Sequence, residues 1–221
     1  MEEHKLTVSR TARYYTMGKP GPHIKYWVIA CHGYGQLGKH FIRKFDAIQR
    51  EDTFVLAPEG LSRFYWGGLS GQPAASWMTS EGRLEEIADY TAYLSSLHER
   101  YLGQFSGAAK LVLLGFSQGA TTLVRWLHAA RPAFSDLVLW AGTAPEDITY
   151  QGLEAYLSGR QVHSVCGDED PYLTPSRMEA QLRLLKGWPA ILHERGFTGG
   201  HTVDRAALKA LFDEIRKEGE N

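Results

Sequence analysis

The stretch from Lys110 to Ala130 constrains the fold more than any other part of the chain. Leu111-Val112-Leu113-Leu114 is apolar without alternation, and Gln118 to Ala130 has helical period. Only Gly115-Phe116-Ser117-Gln118-Gly119 marks the passage between them. A strand that sends apolar side chains both ways must be covered on both faces, which is the situation of a strand inside a parallel sheet. A helix that starts at the strand's last residues is the crossover such a sheet requires.

The same unit recurs. Strands are expected at Lys5 to Tyr15, Tyr26 to Cys31, Thr53 to Ala57, Lys110 to Leu114, Asp136 to Trp140, Gln161 to Cys166 and Ile191 to Arg195. The first differs from the rest, because Leu6 and Val8 alternate with polar residues as in an exposed edge strand. Helical period runs from Lys39 to Arg50, where Phe41, Ile42, Phe45 and Ile48 share a face. It returns from Ser80 to Tyr101, through Leu84, Ile87, Ala88, Thr91 and Leu94, then at Ser176 to Leu185 and Thr202 to Lys217. Alternating strands and helices imply an α/β fold with a mainly parallel central sheet, helices on both faces and an antiparallel N-terminal edge strand. No linker or repeat divides residues 1–221, so a single domain is expected.

Composition limits the function classes. With 24 Lys and Arg against 25 Asp and Glu the net charge is -1, which offers no general attraction to nucleic acid or to an anionic membrane. No apolar run reaches the length of a membrane helix, so stable membrane insertion is not expected. Two cysteines, Cys31 and Cys166, cannot form a disulfide framework, and the start of the chain shows no secretory pattern. The expectation is a cytoplasmic protein.

In open α/β sheets chemistry sits at the carboxyl ends of strands. Ser117 stands there, in a G-x-S-x-G turn between strand and helix. The motif alone is weak evidence, and its strand-turn-helix context gives it weight. Reversing a strand into a helix so abruptly crowds the neighbouring positions, and glycines relieve the crowding. A serine hydroxyl needs a base. His201 follows the last expected strand in the loop Gly199-Gly200-His201, whereas His163 and His193 fall inside strands. An acid should lie between serine and histidine, and Asp168-Glu169-Asp170-Pro171 follows the strand from Gln161. Asp170 is preferred because its loop must reach beyond the strand, with Asp168 the alternative if it does not merely brace the turn. The backbone N–H groups of Gln118 and Tyr34 are candidate oxyanion donors, Tyr34 lying in the glycine loop Cys31-His32-Gly33-Tyr34-Gly35. His32 is read as bracing that loop, less readily as a base.

Taken together, His32-Gly33-Tyr34-Gly35, Gly115-Phe116-Ser117-Gln118-Gly119-Ala120, Gly167-Asp168-Glu169-Asp170-Pro171 and Gly200-His201 resemble the phospholipase/carboxylesterase family of α/β-hydrolases. That family includes acyl-protein thioesterases and small bacterial carboxylesterases, and the likeness covers nearly the whole chain. It implies an α/β-hydrolase fold and a triad of Ser117, Asp170 and His201, with Tyr34 and Gln118 donating backbone N–H groups. It implies a serine carboxylesterase acting on a small-molecule ester, with no metal and no cofactor. Ser76-Trp77 matches a Ser-Trp segment of the family, but Met78-Thr79 departs from the aromatic and aspartate usual in the thioesterase branch. Phe64, Tyr65, Trp66, Trp77 and Met78 are candidates for an apolar substrate wall. An acyl-thioesterase or lysophospholipase is the alternative within the family, and a non-catalytic ligand-binding protein on the same fold the alternative outside it. Oligomeric state is not legible.

Overall fold

The computed structural model describes residues 1–220. Seven strands form the main sheet: β1 (Tyr14–Met17), β2 (Tyr26–Cys31), β3 (Thr53–Pro58), β6 (Lys110–Phe116), β7 (Asp136–Trp140), β8 (Gln161–Gly167) and β9 (Ile191–Phe197). Their order is β1-β3-β2-β6-β7-β8-β9, with β1 antiparallel to β3 and every other pair parallel. The remaining two strands, β4 (Ser62–Trp66) and β5 (Gln72–Ser76), form a separate antiparallel hairpin. This is the α/β-hydrolase fold.

Period two explains the two cores. In β2, Trp27, Ile29 and Cys31 face one side, where they pack with Leu111 and Leu113 of β6. That side is covered by helices α2 (Arg83–Leu102) and α3 (Gln118–Ala130). Val28 and Ala30 face the other side with Val112, Leu114 and Phe116. There they meet α1 (Gly38–Phe41), the 3₁₀ helix that follows it, and α6 (Arg205–Glu220). The strands read as unalternating because each face has its own apolar layer.

Some boundaries depart from the sequence expectation. The edge strand begins at Tyr14, and the expected span from Lys5 to Arg13 joins no ladder. Leu6 and Val8 alternate with polar residues but remain 87% and 72% exposed, so no burial holds them in a sheet. The helix expected over Lys39 to Arg50 is one α turn followed by a 3₁₀ helix, Ile42–Ile48. Three residues per turn keeps Ile42, Phe45 and Ile48 on the buried side. In α2 the buried residues are Tyr90, Leu94, Leu97 and Tyr101, while Leu84 is exposed. Tyrosine rings carry that face, and counting aliphatic residues placed the stripe too early. Helix α6 starts later than Thr202, where Asp204 Oδ1 accepts from the Ala207 N–H at 2.8 Å and caps the first turn. The hairpin β4–β5 and the short α4 (Glu154–Leu157) are elements beyond those that the sequence pattern predicts.

Candidate active site

The register of the parallel strands assembles the site. Cys31 lies opposite Gly115 in the β2–β6 ladder, so the chain leaving β2 at His32-Gly33 runs beside Phe116-Ser117. A Cβ on Gly33 would stand 3.2 Å from the Ser117 Cβ and 2.8 Å from the Phe116 ring. The glycines of the turn have the same steric role. A Cβ on Gly119 would meet the Cys31 carbonyl oxygen at 2.1 Å, and one on Gly115 would meet the Ala120 Cα at 2.4 Å.

Ser117 has φ 53° and ψ −118°, a conformation strained for any residue with a Cβ. Its N–H is anchored on the Trp140 carbonyl at 2.9 Å. A serine at a helix N-cap ordinarily folds its hydroxyl back onto the first turn. Ser117 makes no such bond, because that capping requires an extended backbone it does not have. Its hydroxyl belongs instead to a cavity of about 220 Å³ that it shares with Thr121, Gly142, Tyr172, Arg177 and His201.

Two further loops bring the histidine and the acid together. Gly167 of β8 lies opposite Phe197 of β9, so the segments after these strands run side by side. His201 Nδ1 and Asp170 Oδ2 are 2.7 Å apart, and the aspartate side chain is wholly buried. The other oxygen of Asp170 accepts from the N–H groups of Tyr172 at 2.8 Å and Leu173 at 3.2 Å. With both oxygens engaged the carboxylate cannot rotate, and it holds the imidazole by Nδ1, while Nε2 has no partner among the described residues. Phe116 and Tyr172 flank the ring, with centroids 4.8 and 4.7 Å away. Asp168 lies apart from the ring: its Oδ1 accepts from the Gly199 N–H at 2.9 Å and braces the loop that carries His201.

Three of the N–H groups in the glycine loop are committed. Gly33 donates to Gln36 Oε1, Gly35 to the Ala75 carbonyl, and Gln36 back to the Gly33 carbonyl. Among the described residues the Tyr34 N–H has no acceptor, and the Gln118 N–H opens helix α3 without an acceptor in its own helix. His32 holds the loop from beneath. Its Nε2 accepts from the Gly60 N–H at 2.9 Å, so Nδ1 carries the proton and donates to the Gly33 carbonyl at 2.8 Å. Burial keeps the ring neutral, lowering its pKa to about 4. It acts as a brace.

The expected substrate wall is divided by the structure. Trp77 is 1% exposed, its Nε1 donating to the His32 carbonyl at 2.8 Å and its ring packed on His32 and Tyr90. It supports the glycine loop from the core and shows no face to the cavity of Ser117. Met78 packs partly against the same core, and its carbonyl accepts from Gln118 Nε2 at 2.8 Å. The Gln118 side chain also accepts from the Trp77 N–H, so it ties the Ser76-Trp77-Met78 segment to the nucleophile turn. Phe64 and Trp66 stack around the ring of Tyr34, and Gly35 is required beneath Trp66, whose ring a Cβ would meet at 2.5 Å. Tyr65 points to the opposite face of the hairpin and is 54% exposed. None of the five lines the cavity that contains Ser117 and His201. Residues missed by sequence reasoning do: Thr121, Thr143, Tyr172 and Arg177. Their only signal was position: Thr121 one turn beyond Ser117, Thr143 just past the end of β7, Tyr172 and Arg177 beyond Asp170.

No family model and no curated protein sequence matches the chain. Solved structures do. A carboxylesterase from Bacillus cereus is similar at 18% identity with a TM-score of 0.68, covering 92% of this chain and 94% of that one. An acyl-protein thioesterase 2 from Zea mays is similar at 16% identity and a TM-score of 0.72, covering 95% and 100%. A phospholipase/carboxylesterase from Dyadobacter fermentans follows at 17% and 0.67, covering 95% and 98%. At these identities the likeness is one of fold, and it extends over nearly the full length of each chain.

Proposed function

We propose that this protein is a serine carboxylic ester hydrolase, with Ser117 as nucleophile, His201 as base and Asp170 as the residue that orients the imidazole. The observation that carries the reading is the Asp170–His201 pair, 2.7 Å between Oδ2 and Nδ1, at the wall of the cavity that also holds the strained Ser117. His201 takes the Ser117 proton as Oγ attacks the ester carbonyl. The oxyanion that forms is met by the N–H groups of Tyr34 and Gln118, the second reinforced by the α3 dipole. The imidazolium then returns its proton to the leaving alcohol, and water activated by the same ring hydrolyses the acyl-enzyme.

A cavity of about 220 Å³ favours small esters, which weighs against a lysophospholipase or a long-chain acyl-thioesterase. Among the described residues no helix is long and apolar enough to cross a membrane. Both cysteines are free thiols, Cys31 buried and Cys166 with its pKa pushed up to about 11 by burial, which suits a reducing, cytoplasmic setting. The test is covalent labelling by a fluorophosphonate together with turnover of p-nitrophenyl acetate. Both are expected in the wild type and absent from Ser117→Ala. Labelling at another residue, or no labelling, overturns the assignment.

A further inference from the structure

Arg177 stands on the wall of the Ser117–His201 cavity. It lies in the first turn of α5 (Pro175–Lys186), where a cation opposes the helix dipole and no acidic residue offsets it. The N-terminal cap is already provided by Thr174, which accepts from the Arg177 N–H. The guanidinium is anchored by one bond, from Nη1 to the Tyr172 carbonyl at 3.0 Å. Among the described residues it has no carboxylate partner. The other arginines of this part of the fold differ: Arg183 on the same helix pairs with Glu179, and Arg125 and Arg83 share Asp147. No aspartate or glutamate lines the cavity, since Asp170 is behind His201 with both oxygens occupied. Arg177 is exposed to solvent, so the cavity carries a positive, unneutralised fork on its outer, solvent-facing side.

Its place relative to the chemistry is specific. Tyr172, whose carbonyl anchors Arg177, packs its ring against His201. The oxygen that leaves must receive its proton from His201, whose ring Tyr172 touches and whose cavity Arg177 also lines. Resting on the reading of Ser117 and His201 given above, we infer that the preferred substrates are small esters whose alcohol half carries a carboxylate, held by Arg177. In the reaction the Ser117–acyl bond forms as the ester C–O bond breaks, and the hydroxy acid departs with the proton from His201. A carboxylate bound in the fork of a guanidinium gains two directional, charge-assisted bonds that a neutral or cationic alcohol half lacks.

Three acetate esters of similar size test this by pH-stat: acetoxyacetate, 2-methoxyethyl acetate and acetylcholine. In the wild type kcat/KM is expected to favour the anion over the neutral ester by about tenfold or more, with the cation lowest. Arg177→Gln should lower the anion-to-neutral ratio by roughly ten- to a hundredfold, mainly through KM, and Arg177→Glu should place the cation above the anion. Arg183→Gln, a charge lost from the same helix outside the cavity, should leave the ratio as it was. A wild-type ratio near one, an unaltered ratio in Arg177→Gln, or an equal change in Arg183→Gln overturns the inference. Calorimetry separates this from the hydrolase reading. Ser117→Ala should bind glycolate, and the double variant with Arg177→Gln should not; if fluorophosphonate labels Ser117 but glycolate binding ignores Arg177, the hydrolase stands and the substrate class falls.

Discussion

Among the described residues two histidine–aspartate pairs occur, each with a serine close by in the chain or in space, and only one leaves a ring nitrogen free. His163 Nε2 lies 2.9 Å from Asp136 Oδ1, a geometry close to the 2.7 Å of His201 and Asp170. Yet His163 is in the middle of β8, fully buried, and Arg195 Nε donates to its other nitrogen at 3.3 Å. With Nδ1 accepting from arginine and Nε2 donating to aspartate, no nitrogen remains to take a proton. Ser164 is the next residue in the strand, so its side chain points to the opposite face of the sheet. His201 follows a strand end, uses one nitrogen for its aspartate, has no partner on the other, and lines a cavity shared with Ser117. A short His–Asp distance is not enough, since the free nitrogen and its access decide.

The comparison is broken most directly at the serines. Ser117→Ala should lower kcat on a small ester by about 10⁴-fold or more, while Ser164→Ala should stay within a few-fold of the wild type. The reverse ordering in a side-by-side rate measurement would make His163 the base.

The aspartates sharpen it. Asp170→Asn should leave the protein folded and reduce kcat on the order of 10⁴-fold, because the amide favours the wrong imidazole tautomer. Asp136→Ala should do the opposite. It leaves the buried His163 without its carboxylate, costing about 3 kcal/mol in a denaturant titration with kcat little altered.

His32 extends the contrast to pH. Its folded pKa, about 4, is below the 6.5 of a free imidazole, so over that interval the unfolded chain binds a proton that the folded protein refuses. The stability tied to His32 is complete above about pH 6.5 and declines as pH falls toward 4, by about 3 kcal/mol in all. Melting curves at pH 7, 5.5 and 4 should show this slope, and His32→Gln should melt lower at pH 7 but with a shallower slope. Equal slopes in both proteins would mean that His32 is not held neutral.

The smallest effect is expected at Asp168. Losing one acceptor at the base of the His201 loop through Asp168→Asn should cost about 1 kcal/mol and less than tenfold in rate. A rate loss as large as that of Asp170→Asn, with no change in melting, would transfer the acid's role to Asp168.

Much of this was written locally. Unalternating runs such as Leu111 to Leu114 demand cover on both faces, so the parallel sheet follows from the chain itself. Gly115, Ser117 and Gly119 announce a tight strand-to-helix turn because only glycine fits where Cys31 and Ala120 approach within 2.1–2.4 Å. Loop reach favours Asp170 over Asp168 as the partner of an imidazole, and it is Asp170 that bonds His201 in the folded chain, while the catalytic role remains a proposal. The aromatic segment from Phe64 to Trp66 marks the limit of local reading, because bulk and clustering look the same in a substrate wall and in a hairpin packed on Tyr34. Trp77 marks it too, since local sequence does not say which way an indole faces.

What the chain decides by itself is the order of strands and helices and the residues confined to turns, because these depend on side-chain period and backbone sterics over a few positions. What only the folded molecule decides is which nitrogen of which histidine is left free, and what lines the cavity beside it. Those depend on contacts across 31 positions between Asp170 and His201 and 32 between His163 and Arg195, set by ladder register and side-chain packing that no local pattern encodes.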